Sequence, residues 1–259
     1  WSLAFLVILP LAAPRIWAWR EVLISHWRRL FLLAGLGMGV TVAPQYIGAR
    51  ETSAANIALI FAACPALVVL LETAIWRTTL GWKRLGGMLT AVCGILVVLS
   101  RGNPWALAHL QFGRGDGWVL VAACSWATYT VLSKRCPLPQ LPGTVRLGAL
   151  IAGGAVSLAP FALLESLQGS TPDFSDGRLY LMLAFLAVVP SLGAYFCYDR
   201  LVGVAGPSGA SISMYMVPLY ATLAAWPLLG EAPMPFHMAG FALILAGTVL
   251  SGKQQPRSA

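Results

Sequence analysis

The stretch GPSGASISMYMVPLYATLAAWPLLGE, from Gly206 to Glu231, sets the fold class of this chain. It opens with a Gly-Pro-Ser helix breaker, continues through apolar or small residues without a charge, and carries Pro218 near its middle. Because about twenty apolar residues span a hydrocarbon core about 30 Å thick, the stretch predicts a transmembrane helix. A proline inside such a helix is tolerated when neighbouring helices satisfy the carbonyl that it leaves free, so we expect a point of weakness there.

Composition extends this prediction to all 259 residues. The chain is 58% hydrophobic, and only 10% of its residues are charged, whereas soluble domains carry about 25% charged residues. A β-barrel would show alternating segments of about ten residues, but the apolar runs here are continuous. The predicted fold class is therefore an all-α polytopic membrane protein.

Nine transmembrane helices are predicted from the apolar runs. The connections between them are short, so we expect neighbours in sequence to be neighbours in space. The nine predicted spans are 1–17, 30–47, 54–75, 85–100, 118–133, 147–164, 179–198, 208–229 and 235–251.

Positive charge is distributed unevenly between the two sides of these spans. Thirteen of the seventeen Lys and Arg residues fall on one set of alternate connections, and four fall on the other. The positive-inside rule predicts that the richer side is cytoplasmic, which places the C-terminus and the tail 253–259 in the cytoplasm. The same rule accounts for the net charge of +8, so the expected partner is the lipid bilayer and not nucleic acid.

A shift of 153 residues aligns residues 54–98 with a later part of the chain without a gap. With this shift a mid-span proline, the next loop and two glycines of the following helix coincide in the two segments. The two glycines lie on one helix face, where small residues let helices approach closely. The aligned pairs are Pro65 with Pro218, Gly87 with Gly240, and Gly94 with Gly247.

The two aligned segments run in opposite directions. The charge count has span 54–75 running inward and span 208–229 running outward, and inverted repeats are an architecture of transporters. We therefore predict two inverted five-helix repeats, the first over 1–101 and the second over 115–252. The first repeat lacks its first helix, so we expect ten helices in the complete protein and a missing helix before Trp1.

Glu72 is the one acidic residue well inside a predicted span, about one turn from its cytoplasmic end. An intramembrane carboxylate is costly and by default suggests a function, here the binding of a proton or of a cationic substrate. The alternative is an ion pair with Arg77 or another loop cation. Asp199 and Arg200, at the inner end of a later span, are interpreted as a solvated pair.

Amphipathic side chains at helical spacing suggest a cavity for a mid-sized organic solute, because such pockets combine apolar walls with a few polar groups. Each side chain taken alone is better explained by packing or by the aromatic belt at the membrane interface. Gln45, Tyr46 and Asn56 are interpreted as an outer gate or as wetted helix ends. The other cavity candidates, together with Glu72, are Trp126, Tyr129, Tyr195, Ser213 and Tyr220.

Pro65 and Pro218 suggest how the predicted helices could move. Each proline frees a carbonyl and permits a bend. In corresponding helices of two inverted halves, the two prolines are candidate hinges for alternating access. The alternative is a static kink.

The sequence contains no recognisable constellation for catalysis or metal binding. Its three histidines lie in loops or at span ends, its five cysteines are scattered without a CxxC motif, and no GxSxG or HExxH motif occurs. An enzyme is therefore not predicted, and neither a cofactor nor a metal is expected.

The opening stretch resembles the penultimate-helix signature of the EamA-type transporters, which belong to the drug/metabolite transporter superfamily. The resemblance covers nearly the whole chain, but Thr78 stands where the family often has Glu. The matching residues are Ala210-Ser211, Pro218, Leu229-Gly230-Glu231, Gly240 and Gly247, with Pro65, Gly87 and Gly94 in the first copy.

This resemblance implies a secondary transporter for a small organic metabolite or drug, with amino-acid-like solutes among the candidates, in the bacterial inner membrane. It implies alternating access without a cofactor, and a proton or a counter-substrate is the candidate coupling partner. The substrate and the oligomeric state are not implied. The alternatives are a non-transporting scaffold or subunit that retains the fold, and an intramembrane enzyme with clustered His, Asp or Ser.

Overall fold

The computed structural model of the chain describes residues 1–77, 80–135, 141–167, 175–230 and 233–252. Within these ranges every regular element is a helix, which confirms the predicted all-α class. Five helical stretches are long and apolar enough to cross a bilayer, as expected of a polytopic membrane protein. They are Trp27–Ala49, Asn56–Trp76, Trp82–Leu99, Gly143–Leu167 and Gly177–Ala224.

The number of spans, nine, stays a prediction. The predicted spans 1–17 and 235–251 correspond to shorter apolar helices. A single helical stretch, Gly177–Ala224, runs through one predicted span and most of the next. The predicted span 118–133 lies within the helix Arg114–Arg135, which has charged residues at both ends.

Short π-helical and 3-10 segments interrupt the α-helices of the described residues. The π-helical segments are Gly35–Val40 and Ala187–Ala194, and the 3-10 segment is Ser213–Met216. The α-helices are α1 (Ser2–Ala18), α2 (Arg20–Ser25), α3 (Trp27–Ala34), α4 (Val42–Ala49), α5 (Ala54–Ala62), α6 (Cys64–Trp76), α7 (Trp82–Leu99), α8 (Trp105–Ala108), α9 (Arg114–Arg135), α10 (Gly143–Leu167), α11 (Gly177–Leu186), α12 (Tyr195–Ile212), α13 (Val217–Leu229) and α14 (Pro235–Gly252).

By packing, the chain divides into two compact units. The first unit combines Trp1–Ala43 with Leu132–Val204, and the second combines Pro44–Val131 with Ala205–Ala259. Each unit therefore takes one segment from each half of the chain. The predicted repeats are consecutive in sequence, so they are a different division from these packing units.

In the first unit, α1 and α3 both pack along α10. Small residues on α10 let these helices approach. A methyl group added at Gly153 would lie 2.7 Å from the Cβ atom of Ala34 in α3, and one at Gly148 would lie 3.3 Å from Ile16 Cδ1 in α1. The core of this unit therefore forms between α10 and helices from the N-terminal part of the chain.

The most extensive helix–helix contact in the second unit joins α7 to α14. A methyl group added at Gly94 would lie 2.6 Å from the carbonyl oxygen of Gly240, and one at Gly87 would lie 2.7 Å from that of Gly247. Only glycine allows backbones to approach this closely. Gly87 near the start of α7 meets Gly247 near the end of α14, and Gly94 meets Gly240. The two helices therefore cross antiparallel.

Buried apolar side chains surround this glycine crossing. Ala91 and Ile95 of α7 and Ile244 of α14 are at most 1% exposed. Tyr215, which is fully buried, belongs to the same cluster. Since Tyr215 lies in the 3-10 segment before α13, the glycine crossing is packed directly against an interrupted helix.

Both prolines singled out from the sequence lie in the first turn of a helix. Pro65 is the second residue of α6, and Pro218 is the second residue of α13, directly after the 3-10 segment. The single kinked helix expected from Gly206 onward is thus divided in two, and Gly206 itself is non-helical with φ 77°. A proline has no N–H to donate, so the first turn, where that group lacks a partner, accommodates it best.

Several elements recur at a fixed separation along the chain. α6 and α13 begin 153 residues apart and also end 153 residues apart, and the same holds for α7 and α14. The residues that end α6 and α13, Arg77 and Gly230, both adopt the left-handed conformation, with φ of 52° and 73°. The shift found in the sequence therefore also superimposes element boundaries.

We expect Gly94→Ala to destabilise the second unit, because the new methyl group would lie against backbone atoms of α14 that cannot move independently. Overpacking of this kind costs about 1–3 kcal/mol. Thermal unfolding of the purified protein in detergent measures the effect. Gly86→Ala is the matched control, since nothing lies within 4 Å of the added methyl group and alanine is the better helix former. Equal melting temperatures for the two variants would contradict the close crossing.

Candidate functional site

Glu72 forms an ion pair that joins α6 to α7. Its Oε2 atom lies 3.4 Å from Nη2 of Arg84, and the two side chains are 17% and 21% exposed. Such a largely buried pair is difficult to break on one side only, because removal of one partner leaves an uncompensated charge. The pair therefore fixes the end of α6 relative to the start of α7.

A polar network ties together three segments of the second unit near the start of α9. Asp116, which is 6% exposed, accepts a hydrogen bond of 2.5 Å from the Thr52 hydroxyl and one of 2.6 Å from the Gly113 N–H. Asp116 precedes the predicted span 118–133. The hydrogen bond from Thr52, and then that from Gly113, hold the pKa of the Asp116 carboxyl below its ordinary value.

Asn56 extends this network to the first turn of α5. It is 2% exposed, its backbone N–H donates to the Ser53 hydroxyl, and its Nδ2 atom donates to the carbonyl of Gln111 at 2.9 Å. Ser53 thereby caps α5. The predicted gate residue Asn56 thus lies buried between segments and does not line an open surface.

The other two predicted gate residues and two of the cavity candidates are more accessible. Tyr46 and Tyr220 are each 63% exposed, and Gln45 is half-buried. Ser213 is exposed, and its hydroxyl donates to the carbonyl of Ala210 at 2.7 Å, where the 3-10 segment begins.

Trp126 and Tyr129 lie on α9 with their ring centroids 5.5 Å apart. Tyr129 is 2% exposed. The neighbouring residues Ala127 and Val131 pack with Val68 of α6 in a buried apolar cluster. These aromatic side chains therefore lie next to the contact between α9 and α6.

Tyr195 is the one cavity candidate that belongs to the first unit. Its hydroxyl donates to the carbonyl of Gly37 at 2.6 Å, and its ring meets the ring of Trp1 edge-on at 5.0 Å. Gly37 lies within one π-helical segment, and Tyr195 directly follows the other. The hydrogen bond therefore connects the two π-helical interruptions of this unit.

Sequence reasoning missed the partners of two acidic residues. Asp199 lies 2.8 Å from Arg146, and both side chains are about four-fifths buried, so the interpretation of Asp199 and Arg200 as a solvated pair is wrong. Asp116 lies in the first turn of α9, where the helix dipole favours a negative charge, but its partner Thr52 lies 64 residues earlier and no local pattern indicates it. Thr78 and Glu231, which distinguish the two copies in sequence, lie outside the described residues.

The described residues contain no group of three His, Cys, Asp or Glu side chains able to hold a metal ion. The ion pair and hydrogen bonds described above for the second unit lie at helix ends and helix breaks. These contacts hold neighbouring segments of the unit together.

The fold is that of a multi-pass helical membrane protein with interrupted helices. The model of the EamA-like transporter family matches residues 1–100 and 113–252. The chain therefore belongs to the EamA-like transporter family, as the resemblance indicated. Membership places it among membrane transporters.

Individual relatives are distant but cover most of the chain. An uncharacterized transporter of Archaeoglobus fulgidus is 26% identical over 98% of this chain and 88% of that protein. An S-adenosylmethionine/S-adenosylhomocysteine transporter of Chlamydia muridarum is 23% identical over 80% of this chain and 66% of that protein. A solved crystal structure has the same fold, with a TM-score of 0.75 at 21% identity over 96% of this chain and 85% of the other.

We expect Asp116→Asn to lower the stability of the protein at neutral pH. A carboxyl whose pKa is lowered by folding stabilises the native state above its ordinary pKa, and this contribution is lost as pH falls through the folded-state value. The melting temperatures of wild type and variant should therefore converge as the pH is lowered below about 4. Glu51→Gln, which removes an exposed acid nearby, should change little. A pH-independent difference between Asp116→Asn and wild type would contradict this role.

Proposed function

We propose that this protein is a secondary transporter that moves a small organic metabolite or drug across the bacterial inner membrane by alternating access. Family membership supports transport as such. The transporter of Chlamydia muridarum that matches most of the chain is named for a solute with an amino-acid moiety. That name supports amino-acid-like metabolites as the first solutes to test.

The paired helix breaks at Pro65 and Pro218 are the observation that carries this proposal. Each proline is the second residue of a helix that follows an interruption, and α6 and α13 begin at equivalent positions of the two aligned segments. A bend is least costly where the helical hydrogen bonds are already interrupted. We propose that α6 and α13 tilt at these breaks and open the protein alternately to the two sides.

Inversion of the two repeats rests on the reciprocity of the glycine crossing. The 153-residue shift equates Gly87 with Gly240 and Gly94 with Gly247. In the structure Gly87 meets Gly247 and Gly94 meets Gly240, which is the pattern of contacts around a two-fold axis. The antiparallel direction of α7 and α14 and the two matched segments of the family model support the same proposal.

Glu72 is the proposed coupling residue. Its pair with Arg84 joins the end of α6 to α7, so protonation of Glu72 would release the helix that begins at Pro65. A proton or a counter-substrate would then drive exchange by competing for this carboxylate. A carboxylate within a membrane span is costly, and such residues are usually functional. This cost supports a coupling role for Glu72.

The cavity candidates divide by accessibility. Tyr46, Tyr220 and Ser213 are exposed, so we propose that they meet the solute. Tyr129 and Asn56 are buried, and we propose that they position α9 and α5. Trp126, Tyr195 and Gln45 are partly exposed and remain proposed lining residues.

We expect Pro218→Ala to slow transport by about ten-fold, which corresponds to about 1.4 kcal/mol in the barrier. Alanine lets the helix continue through the 3-10 segment, because its N–H can donate where proline cannot. The measurement is uptake of labelled amino acids and nucleoside-containing metabolites into proteoliposomes under proton and sodium gradients. Pro227→Ala removes a proline of the same helix away from the break and should retain most activity.

Two results would contradict this part of the proposal. Wild-type flux in Pro218→Ala would reduce the break to a static feature of packing. Absence of flux for every solute and every gradient in the wild-type protein would favour a non-transporting scaffold, and turnover of a solute without translocation would favour an intramembrane enzyme.

We expect Glu72→Gln to abolish the pH dependence of uptake, because glutamine cannot bind or release the coupling proton. Uptake at a fixed solute gradient, measured from pH 5.5 to 8, compares the variant with wild type. Glu21→Gln is the control, since Glu21 is an 87% exposed acid near the end of α1. An unchanged pH profile in Glu72→Gln would leave Glu72 as a structural partner of Arg84.

A further inference from the structure

A second polar site lies in the first unit, apart from the helix breaks. A cavity of about 240 Å³ opens where the end of α1, the start of α10 and the start of α12 meet. The cavity lies at the helix ends that the distribution of Lys and Arg predicts to be on the cytoplasmic side of the membrane. The residues that line it are Arg15, Pro142, Gly143, Thr144, Phe196, Asp199 and Arg200.

The cavity carries an excess of positive charge. Asp199 is neutralised by Arg146, at a distance of 2.8 Å. Neither Arg15 nor Arg200 forms an ion pair within the part of the chain that the structure describes. Since the charge of the one carboxylate at the cavity, Asp199, is already balanced by Arg146, the two guanidinium groups of Arg15 and Arg200 leave a local charge of +2 among the described residues.

The wall of the cavity combines a hydrogen-bonding group with apolar surface. The Thr144 hydroxyl accepts a hydrogen bond from Nη1 of Arg15 at 3.3 Å, which holds that side chain across the start of α10. The ring of Phe196 packs against Gly143, at 3.1 Å from the position of an added methyl group. The site therefore has a cationic centre and an apolar border.

The surroundings of Arg15 are typical of a membrane interface. Trp17, two residues further along α1, is 71% exposed, and the guanidinium carbon of Arg20 lies 4.9 Å from its ring centroid. Exposed tryptophans at helix ends are typical of the headgroup region of a bilayer. A phosphate group of the surrounding lipid would therefore lie at the depth of this cavity.

We propose that the cavity binds a phosphate group and that an anionic phospholipid headgroup supplies it. Arginine presents paired N–H donors that match phosphate oxygens, and basic pockets between membrane helices on the cytoplasmic side suit anionic lipid headgroups. The proline and phenylalanine at the border would contact the glycerol and upper acyl region. This site goes beyond the proposed transport function and does not depend on it.

The test is thermal unfolding of the purified full chain in detergent, with short-chain phosphatidylglycerol, phosphatidylcholine or inorganic phosphate added. Phosphatidylglycerol should raise the melting temperature of the wild-type protein saturably, and phosphatidylcholine of equal chain length should not. The double variant Arg15→Gln/Arg200→Gln should bind phosphatidylglycerol at least about ten-fold more weakly. Arg28→Gln/Arg29→Gln removes the same charge from the first turn of α3, which does not line the cavity, and should respond like wild type.

The outcomes separate the sources of phosphate. If inorganic phosphate alone reproduces the shift with the same dependence on Arg15 and Arg200, the ligand is a soluble anion and the lipid assignment is wrong. The site is overturned if phosphatidylglycerol raises the melting temperature of Arg15→Gln/Arg200→Gln as much as that of the wild type. It is also overturned if Arg28→Gln/Arg29→Gln weakens phosphatidylglycerol binding as much as Arg15→Gln/Arg200→Gln does. If the glutamine variant does not fold, Arg15→Lys/Arg200→Lys keeps the charge but loses the paired donors, and an undiminished response in it overturns the proposal.

Discussion

The backbone contact between α7 and α14 is the constraint on which the second unit depends. In a bilayer there is little hydrophobic drive between helices, so close packing of small residues supplies much of the attraction. Here Gly87 meets Gly247 and Gly94 meets Gly240 at distances that exclude any side chain. The buried Tyr215 of the 3-10 segment before α13 packs against this crossing. The close helix–helix contact therefore lies beside a point where a helix is interrupted.

That juxtaposition gives the proposed mechanism its physical basis. A transporter needs one part that stays fixed and another that moves, and motion concentrates where few hydrogen bonds must break. In the proposed mechanism the crossing of α7 and α14 would be the fixed part, and the breaks before α6 and α13 would be the points of bending. The ion pair between Glu72 and Arg84 connects the two, since it ties α6 to a helix of the crossing.

Much of this arrangement follows from the sequence, and the rest depends on contacts that no local pattern encodes. Continuous apolar runs predicted the helical class, and the shared phase of the prolines and glycines predicted which elements correspond. The division of the Gly206 stretch by a 3-10 segment was not predicted, because it depends on the burial of Tyr215 against α7 and α14. The partners of Asp116 and Asp199 were not predicted either, since Thr52 and Arg146 lie more than fifty residues away in sequence.

The opposite orientation of the two repeats is the central claim, and the sidedness of α7 and α14 tests it most directly. These helices begin at Trp82 and Pro235, equivalent residues that are both exposed. In a background without the five native cysteines, single variants Trp82→Cys and Pro235→Cys in oriented vesicles would be labelled with a membrane-impermeant maleimide. Inverted repeats predict labelling from opposite sides, with residue 82 cytoplasmic. Labelling of both positions from the same side would contradict the inversion and, with it, alternating access between two inverted halves.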